Sequence, residues 1–262
     1  MQLNKKYILI TGAGTGIGRA LAQAFATEGA KIILCGRRLD PLIETQQNLP
    51  KNTVSHIIQA DITKSEDRSK LLQAVNFHFG KLDLLINNAG IVPVGDLRSL
   101  KDDDLEMALK TNLLAPIALS RDCLAFLKHG KNSRIVNIGS MFGDIAFPLF
   151  ATYSATKFGL RGFSDALRRE LRAENIAVTY VAPRATKTPA ASHFQDLVPI
   201  FDMQFDNASD VANHIICGLQ KNKNYIYPKG WEKLFILIQR LCPKLIDNNL
   251  IKQLSNRPKK MA

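Results

Sequence analysis

Tyr7-Ile8-Leu9-Ile10-Thr11-Gly12-Ala13-Gly14-Thr15-Gly16-Ile17-Gly18 runs from a short apolar strand, through a glycine-rich turn, into a stretch of helical periodicity. The helix is read over residues 16–28, because Ile17, Ala20, Leu21, Ala24 and Phe25 fall on one face. Glycines admit positive φ and let backbone approach a ligand closely. The helix that follows offers unpaired N–H groups and the positive end of its dipole, which suits a pyrophosphate. A glycine pattern alone is weak evidence. Between a first strand and a first helix it reads as a dinucleotide-binding turn, with Gly12, Gly14, Thr15, Gly16, Ile17 and Gly18 at the cofactor.

The same alternation continues outward. Further strands are read over 31–35, 54–59, 82–86, 134–138 and 177–181, with helices over 40–48, 65–79, 103–128 and 152–173. Continuous apolar strands joined by helices predict a parallel sheet covered on both faces. The expected fold is a three-layered, Rossmann-type doubly wound α/β sheet. Residues 1–230 are read as a single catalytic domain and 231–262 as its basic, helical C-terminal extension.

Composition narrows the function classes. The chain has 262 residues, 46% of them hydrophobic and 22% charged, which excludes a disordered or low-complexity protein. Cys35, Cys123, Cys217 and Cys242 are far apart and form no C-x-x-C pair, so neither a disulfide framework nor a metal site is expected. No apolar leader precedes the first strand and no run is long enough to span a bilayer, so a cytoplasmic location is expected. The net charge of +12 is concentrated at the end, where ten Lys/Arg face two acids from Gly218 onward. Such a tail suits an anionic membrane surface, nucleic acid or plain solvation. Nothing but charge points to nucleic acid, and none is expected as a partner.

The end of the second strand bears on the cofactor. An acid there would hydrogen-bond the adenosine ribose of NAD. This chain has Leu34-Cys35-Gly36-Arg37-Arg38, with no acid before Asp40. A guanidinium forms a charge-assisted fork on a 2′-phosphate, so Arg37, with Arg38 as a second cation, predicts NADP(H) in preference to NAD(H).

Tyr153-Ser154-Ala155-Thr156-Lys157 opens a predicted helix, which puts Tyr153 and Lys157 on one face. A phenol beside a cation is lowered from its usual range near ~10 and can serve as acid and base for a carbonyl–alcohol pair. Ser140 ends the fifth strand, where α/β sheets present ligand-facing residues, and its hydroxyl can reach a substrate oxygen.

Together these residues closely resemble the short-chain dehydrogenases/reductases over about residues 5 to 228. The resemblance rests on Thr11-Gly12-x-x-x-Gly16-Ile17-Gly18, Asp61, Asn87-Asn88-Ala89-Gly90, Asn112, Ser140 and Tyr153-x-x-x-Lys157, in the family's order and spacing. It implies Tyr153 as proton donor, Ser140 as the group that orients the carbonyl, and Lys157 as the cation that lowers the Tyr153 pKa and holds the nicotinamide ribose. It implies that Asn112 holds a water leading from Lys157 to solvent. Asp61 and Ile62 would meet the adenine, and Asn88, Ala89 and Gly90 would flank the cofactor. The catalytic set is thus Asn112, Ser140, Tyr153 and Lys157. One departure stands out: the family's Pro-Gly-x-x-x-Thr is here Pro183-Arg184-Ala185-Thr186-Lys187-Thr188. Pro183 and Thr188 keep their cofactor positions. Arg184 either approaches the ligands or faces outward. The resemblance also implies a homodimer or homotetramer built on helices near 103–128 and 152–173.

The variable segment from Thr188 to Asp206 carries Phe194, Leu197, Val198, Ile200, Phe201, Met203 and Phe205; Met141, Phe142, Phe147, Leu149 and Phe150 precede Tyr153. That tally favours a lipophilic carbonyl over a sugar. Trp231, Leu234, Phe235, Leu237, Ile238 and Leu241 mix with Lys233, Lys244 and Lys252, which suits a helix packed on protein as a lid or subunit contact, or one lying on a membrane. The leading expectation is an NADPH-dependent reductase of a hydrophobic ketone. A 3-oxoacyl carrier-protein or CoA thioester reductase is the alternative, and a non-catalytic dinucleotide sensor on the same fold is a third.

Overall fold

The protein, seen in a computed structural model, is described over residues 2–255. The end of the predicted extension, residues 256–262 with Arg257, Lys259 and Lys260, lies outside the described residues.

Nine strands are present among the described residues: β1 (Tyr7–Thr11), β2 (Lys31–Gly36), β3 (Ser55–Gln59), β4 (Leu84–Asn87), β5 (Arg134–Ile138), β6 (Ala177–Val181), β7 (Thr186–Lys187), β8 (Asp206–Asn207) and β9 (Tyr225–Ile226). The helices are α1 (Gly16–Thr27), α2 (Leu39–Gln47), α3 (Ser65–His78), α4 (Asp102–Leu109), α5 (Ala115–Lys128), α6 (Ala151–Glu170), α7 (Ala208–Gln220), α8 (Glu232–Leu241) and α9 (Pro243–Ser255). Seven strands form one parallel sheet in the order β3-β2-β1-β4-β5-β6-β9, while β7 and β8 pair separately.

Alternation along the strands divides the core into two layers. Ile8, Ile10, Ile32, Leu34 and Ile86 face α1 and α7, where Leu21, Phe25, Ile215 and Leu219 complete one cluster. Leu9, Ile33, Leu85, Ile135 and Val178 face the other way, onto Leu71 of α3, Leu119 and Leu127 of α5, and Leu167 of α6. Burial on both sides explains why these strands are almost wholly apolar. The exception is a polar seam inside β4 and β5: Asn87 Nδ2 donates to Asn137 Oδ1 at 2.8 Å and to Ser120 Oγ at 3.0 Å, and Asn137 Nδ2 donates to Ser164 Oγ at 2.8 Å.

The doubly wound sheet and helical extension match the expectation, with local differences. The single helix expected over 103–128 is interrupted by a π-helical turn at Lys110–Leu114. Pro116, in the first turn of α5, supplies no N–H to the Asn112 carbonyl four residues back, and its ring crowds that carbonyl. The ladder therefore slips by one residue at Asn112. Strand β9, helix α7 and the β7–β8 pair were not anticipated. Winding reverses between β1 and β4, and the crevice at their carboxyl ends is where such sheets place their sites.

Candidate active site

The glycine turn is locked to the neighbouring strand. Thr11 Oγ1 donates to the Ile86 carbonyl at 3.2 Å and accepts the Asn88 and Ala89 N–H groups at 3.0 and 3.1 Å. Asn88 Nδ2 donates to the Thr11 and Gly12 carbonyls at 3.0 and 3.2 Å. Gly12 has φ +64°, and a Cβ there would lie 2.9 Å from Ala89 Cα. A Cβ on Gly18 would lie 2.1 Å from the Gly12 oxygen, so α1 packs against the turn only because residue 18 has no side chain. Arg19, not singled out from the sequence, donates from Nε and Nη2 to the Gly14 carbonyl at 3.0 and 2.7 Å and pairs with Glu44 of α2.

A cavity of about 960 Å³ opens from this turn. Gly12, Thr15, Gly16 and Ile17 lie along one side, with Asn88, Ala89 and Gly90 next to them. Ser140, Tyr153 and Lys157 face it from β5 and α6, and Pro183 and Thr188 from beyond β6. Gly14 and Gly18 support the turn without bordering the cavity. Arg37 and Arg38 are exposed at the end of β2. Asp61 Oδ1 accepts from the Thr63 N–H and hydroxyl at 3.0 and 2.7 Å, while Ile62 is buried in the core. Neither of these two lines the cavity.

The four residues expected to act together are brought together. Lys157 is buried and its Nζ donates to the Ile138 carbonyl at 3.0 Å, 5.5 Å from the centre of the Tyr153 ring. Asn112, displaced by the π-helical turn, is held at both ends: Oδ1 accepts the Ile91 N–H at 2.8 Å, and Nδ2 donates to the Ile91 carbonyl at 2.8 Å and to Thr156 Oγ1 at 3.3 Å. The Thr156 hydroxyl in turn donates to the Tyr153 carbonyl at 2.7 Å. The Ser140 hydroxyl accepts the Phe142 N–H at 3.1 Å. Tyr180, missed in the sequence, is fully buried; its hydroxyl donates to the Ser140 carbonyl at 3.2 Å and so fixes that backbone.

Electrostatics depart from the expectation that Lys157 lowers the Tyr153 pKa. Burial pushes the Tyr153 phenol up to about 12, with the hydrogen bond from Ser140 pulling the other way. Burial also brings the Lys157 ammonium down to about 8. Desolvation is the larger of the two influences on the phenol, which is protonated at neutral pH.

An apolar wall leads to Tyr153. The Phe142 ring lies 4.7 Å from Phe147, 4.8 Å from Phe150 and 6.0 Å, edge-on, from Tyr153. Phe201 meets Phe147 at 5.5 Å and Phe194 meets Phe150 at 5.7 Å. Leu197 is buried behind them, and His193 is exposed outside. The far wall comes from the extension: Trp231, Phe235, Ile246 and Leu250 all border the cavity. Arg184 faces neither solvent alone nor the ligand space alone. Its Nε donates to Asp206 Oδ2 at 2.8 Å and its Nη1 to Glu232 Oε1 at 2.7 Å.

Comparison with known proteins bears on the family and the fold. The family model described as short chain dehydrogenase matches residues 6–197. An Arabidopsis thaliana protein named 11-beta-hydroxysteroid dehydrogenase-like 3 is 32% identical over 253 residues, spanning 94% of this chain and 80% of its own. A short chain dehydrogenase from Burkholderia cenocepacia, solved in complex with NADP, is 27% identical with TM-score 0.81, covering 89% of this chain and 100% of that one. A 3-ketoacyl-(acyl-carrier-protein) reductase from Brucella melitensis, solved with NADH, is 25% identical with TM-score 0.77, covering 86% and 97%. This chain belongs to the short-chain dehydrogenase/reductase family of oxidoreductases.

The buried lysine has a direct test. In lysine-15N NMR, one Nζ should titrate near pH 8, far below the ~10.4 of ordinary lysines, and that signal should vanish in Lys157→Met. A uniform set of lysines near ~10.4 would show that burial leaves Lys157 unshifted.

Proposed function

We propose that the protein is an NADPH-dependent reductase that interconverts a ketone and a secondary alcohol, with an apolar carbonyl compound as substrate. One observation carries the reading: the Tyr153 phenol stands at the end of an aromatic wall, on the same cavity as Ser140 and with its ring centre 5.5 Å from the buried Lys157 ammonium. A dinucleotide fits the residues present, because the glycine turn and the α1 N-terminus border a cavity of about 960 Å³ that runs on to Ser140, Tyr153 and Lys157.

In this reading Gly12, Thr15, Gly16 and Ile17 hold the pyrophosphate against the α1 N-terminus, supported by Gly14 and Gly18. Arg37 and Arg38 take the 2′-phosphate, and Asp61 and Ile62 the adenine end. Asn88, Ala89, Gly90, Pro183 and Thr188 flank the nicotinamide end. The chemistry a bound nicotinamide supplies is hydride transfer to the carbonyl carbon. Tyr153 gives its proton to the carbonyl oxygen, which Ser140 orients by hydrogen bonding. The phenolate left behind forms beside Lys157, whose proton stabilises it, and Asn112 lines the route by which that proton returns from solvent. A 3-oxoacyl thioester is the second substrate reading. The Brucella reductase supports it, as do Lys229 at the cavity rim and Lys233 beside it, which would meet an acidic carrier. A non-catalytic sensor has no need of Asn112, Ser140, Tyr153 and Lys157 together.

A cytoplasmic location belongs to the same reading; no helix among the described residues is long and apolar enough to cross a membrane. Met107, Leu114 and Phe158 are exposed on α4, the π-helical turn and α6, which supports a homodimer or homotetramer built on that face. The outer side of the extension exposes Trp231, Leu234, Leu237, Leu241 and Leu245, flanked by Lys233, Arg240, Lys244 and Lys252. A second copy placed there would set like charges against each other, so we assign this face to the surface of an anionic bilayer.

Three measurements test these readings. NADPH oxidation should increase with acyl-chain length across ketones and 3-oxoacyl thioesters and fall about 10²–10⁴-fold in Tyr153→Phe. In the same assay Arg37→Ala should raise the KM for NADPH about tenfold and leave that for NADH unchanged. Equal affinity for the two cofactors in the unmodified protein would refute the NADP(H) preference. Light scattering should return the mass of two or four chains, and a mass of one would remove the oligomer. Vesicles containing phosphatidylglycerol should co-sediment the protein, and those of phosphatidylcholine alone should not; equal sedimentation with both removes the anionic-surface reading.

A further inference from the structure

Arg184 stands where the resemblance places a glycine, immediately beyond β6, and its guanidinium joins two segments distant in sequence. Asp206, its first partner, belongs to β8 at the end of the variable segment; its N–H donates to the Ala185 carbonyl at 2.9 Å, closing the base of that segment. Glu232, its second partner, lies in the first turn of α8. All three side chains are partly buried, at 28%, 27% and 17% exposed, so solvent screens the two ion pairs less than it would a fully exposed pair. Glu232 Oε2 is buried with no other partner, which leaves Arg184 as the group that neutralises this carboxylate.

The two tethered segments also pack on each other. Leu250, Ile246 and Leu254 of α9 cluster with Leu197 and Phe201 of the variable segment and with Phe150. Segment and extension therefore form one cover over the apolar end of the cavity. A second charged tie from α8, Arg240 to Asp144, is longer at 3.9 Å.

We infer that Arg184 is a positioning residue that locks the variable segment and the C-terminal extension into a single cover, and thereby sets affinity for large apolar substrates. The inference rests on the proposed reductase reading for its substrate class, but the lock itself is independent of turnover. Removing the arginine leaves two carboxylates facing each other, one of them buried, and their repulsion opens the cover. Arg184 borders the cavity, but its guanidinium is engaged by Asp206 and Glu232 and makes no hydrogen bond to Ser140, Tyr153 or Lys157.

The test combines activity with proteolysis of the full-length protein. Arg184→Gly should raise KM for long-chain carbonyls about five- to tenfold, raise it less than twofold for short ones, and change kcat and the Kd for NADPH less than about twofold. Trypsin should cut the extension, at Lys233 or Arg240, about tenfold faster. Glu232→Gln should reproduce a milder form of both effects without altering the backbone beyond β6. Adding Asp206→Asn and Glu232→Gln to Arg184→Gly should partly restore slow cleavage, since no carboxylates are left to repel. Unchanged cleavage and KM in both Arg184→Gly and Glu232→Gln would overturn the lock. So would a Kd for NADPH that rises in step with KM, which would place Arg184 at the cofactor. If the unmodified protein turns over no carbonyl, the reductase reading fails, while the cleavage rates still decide the lock.

Discussion

The structure depends on a close approach of backbone to backbone at Gly12. The turn after β1 must pass within contact of Ala89 on one side and of the first turn of α1 on the other, and neither approach leaves room for a Cβ at residue 12 or 18. Thr11 and Asn88 hold the arrangement with hydrogen bonds that run between β1 and the end of β4. These are the strands at which the winding of the sheet reverses. The contact therefore does two things at once: it seals the central pair of strands at their carboxyl ends, and it leaves the crevice between them open and lined by main chain.

Beyond the crevice, desolvation organises the chemistry. Tyr153 and Lys157 share a face of α6, one partly buried at the cavity and the other buried beneath it, and desolvation acts on them in opposite directions: the acid becomes weaker and the ammonium becomes easier to deprotonate. The supporting hydrogen bonds join segments distant in sequence. Asn112 is held by the Ile91 backbone and by Thr156, Ser140 by Tyr180 and Phe142, Lys157 by Ile138. Each side chain is thus fixed before any ligand arrives, the condition under which positioned groups are most effective.

The sheet was legible because strands buried on both faces are continuous apolar runs, as at Leu9-Ile10 and Ile32-Ile33-Leu34. The catalytic set was legible through its spacing. What escaped was set by partners distant in sequence. Strand β9 is only Tyr225–Ile226, too short to carry a period, and exists because it pairs with Tyr180 and Val181. The periodicity of α7 at Val211, Ile215 and Leu219 is present in the sequence, but past the last recognised strand nothing called for a helix there. Pro116, four residues after Asn112, was a usable signal for the break in the long helix. Tyr180 had none, since it acts through the backbone of Ser140; Arg184 stood out as a departure from a glycine, but its partners at residues 206 and 232 did not. The pKa of Tyr153 also needed the fold, since spacing reveals the neighbouring cation and not the loss of water.

The order of strands in space has a consequence for biosynthesis. The first strand made, β1, ends in the middle of the sheet; β2 and β3 extend it to one side, and β4, β5, β6 and β9 then add to the other in the order of their synthesis. A nascent chain can dock each new strand on the edge just completed, so that at every stage one fresh edge is exposed to wrong pairing. The wall supplied by α8 and α9 is translated after every strand of the sheet, although it borders the same cavity as the glycine turn that follows β1. The floor of the site is thus synthesised before its roof, and the sheet's seven strands are all available for pairing before the elements that close the cavity have been made.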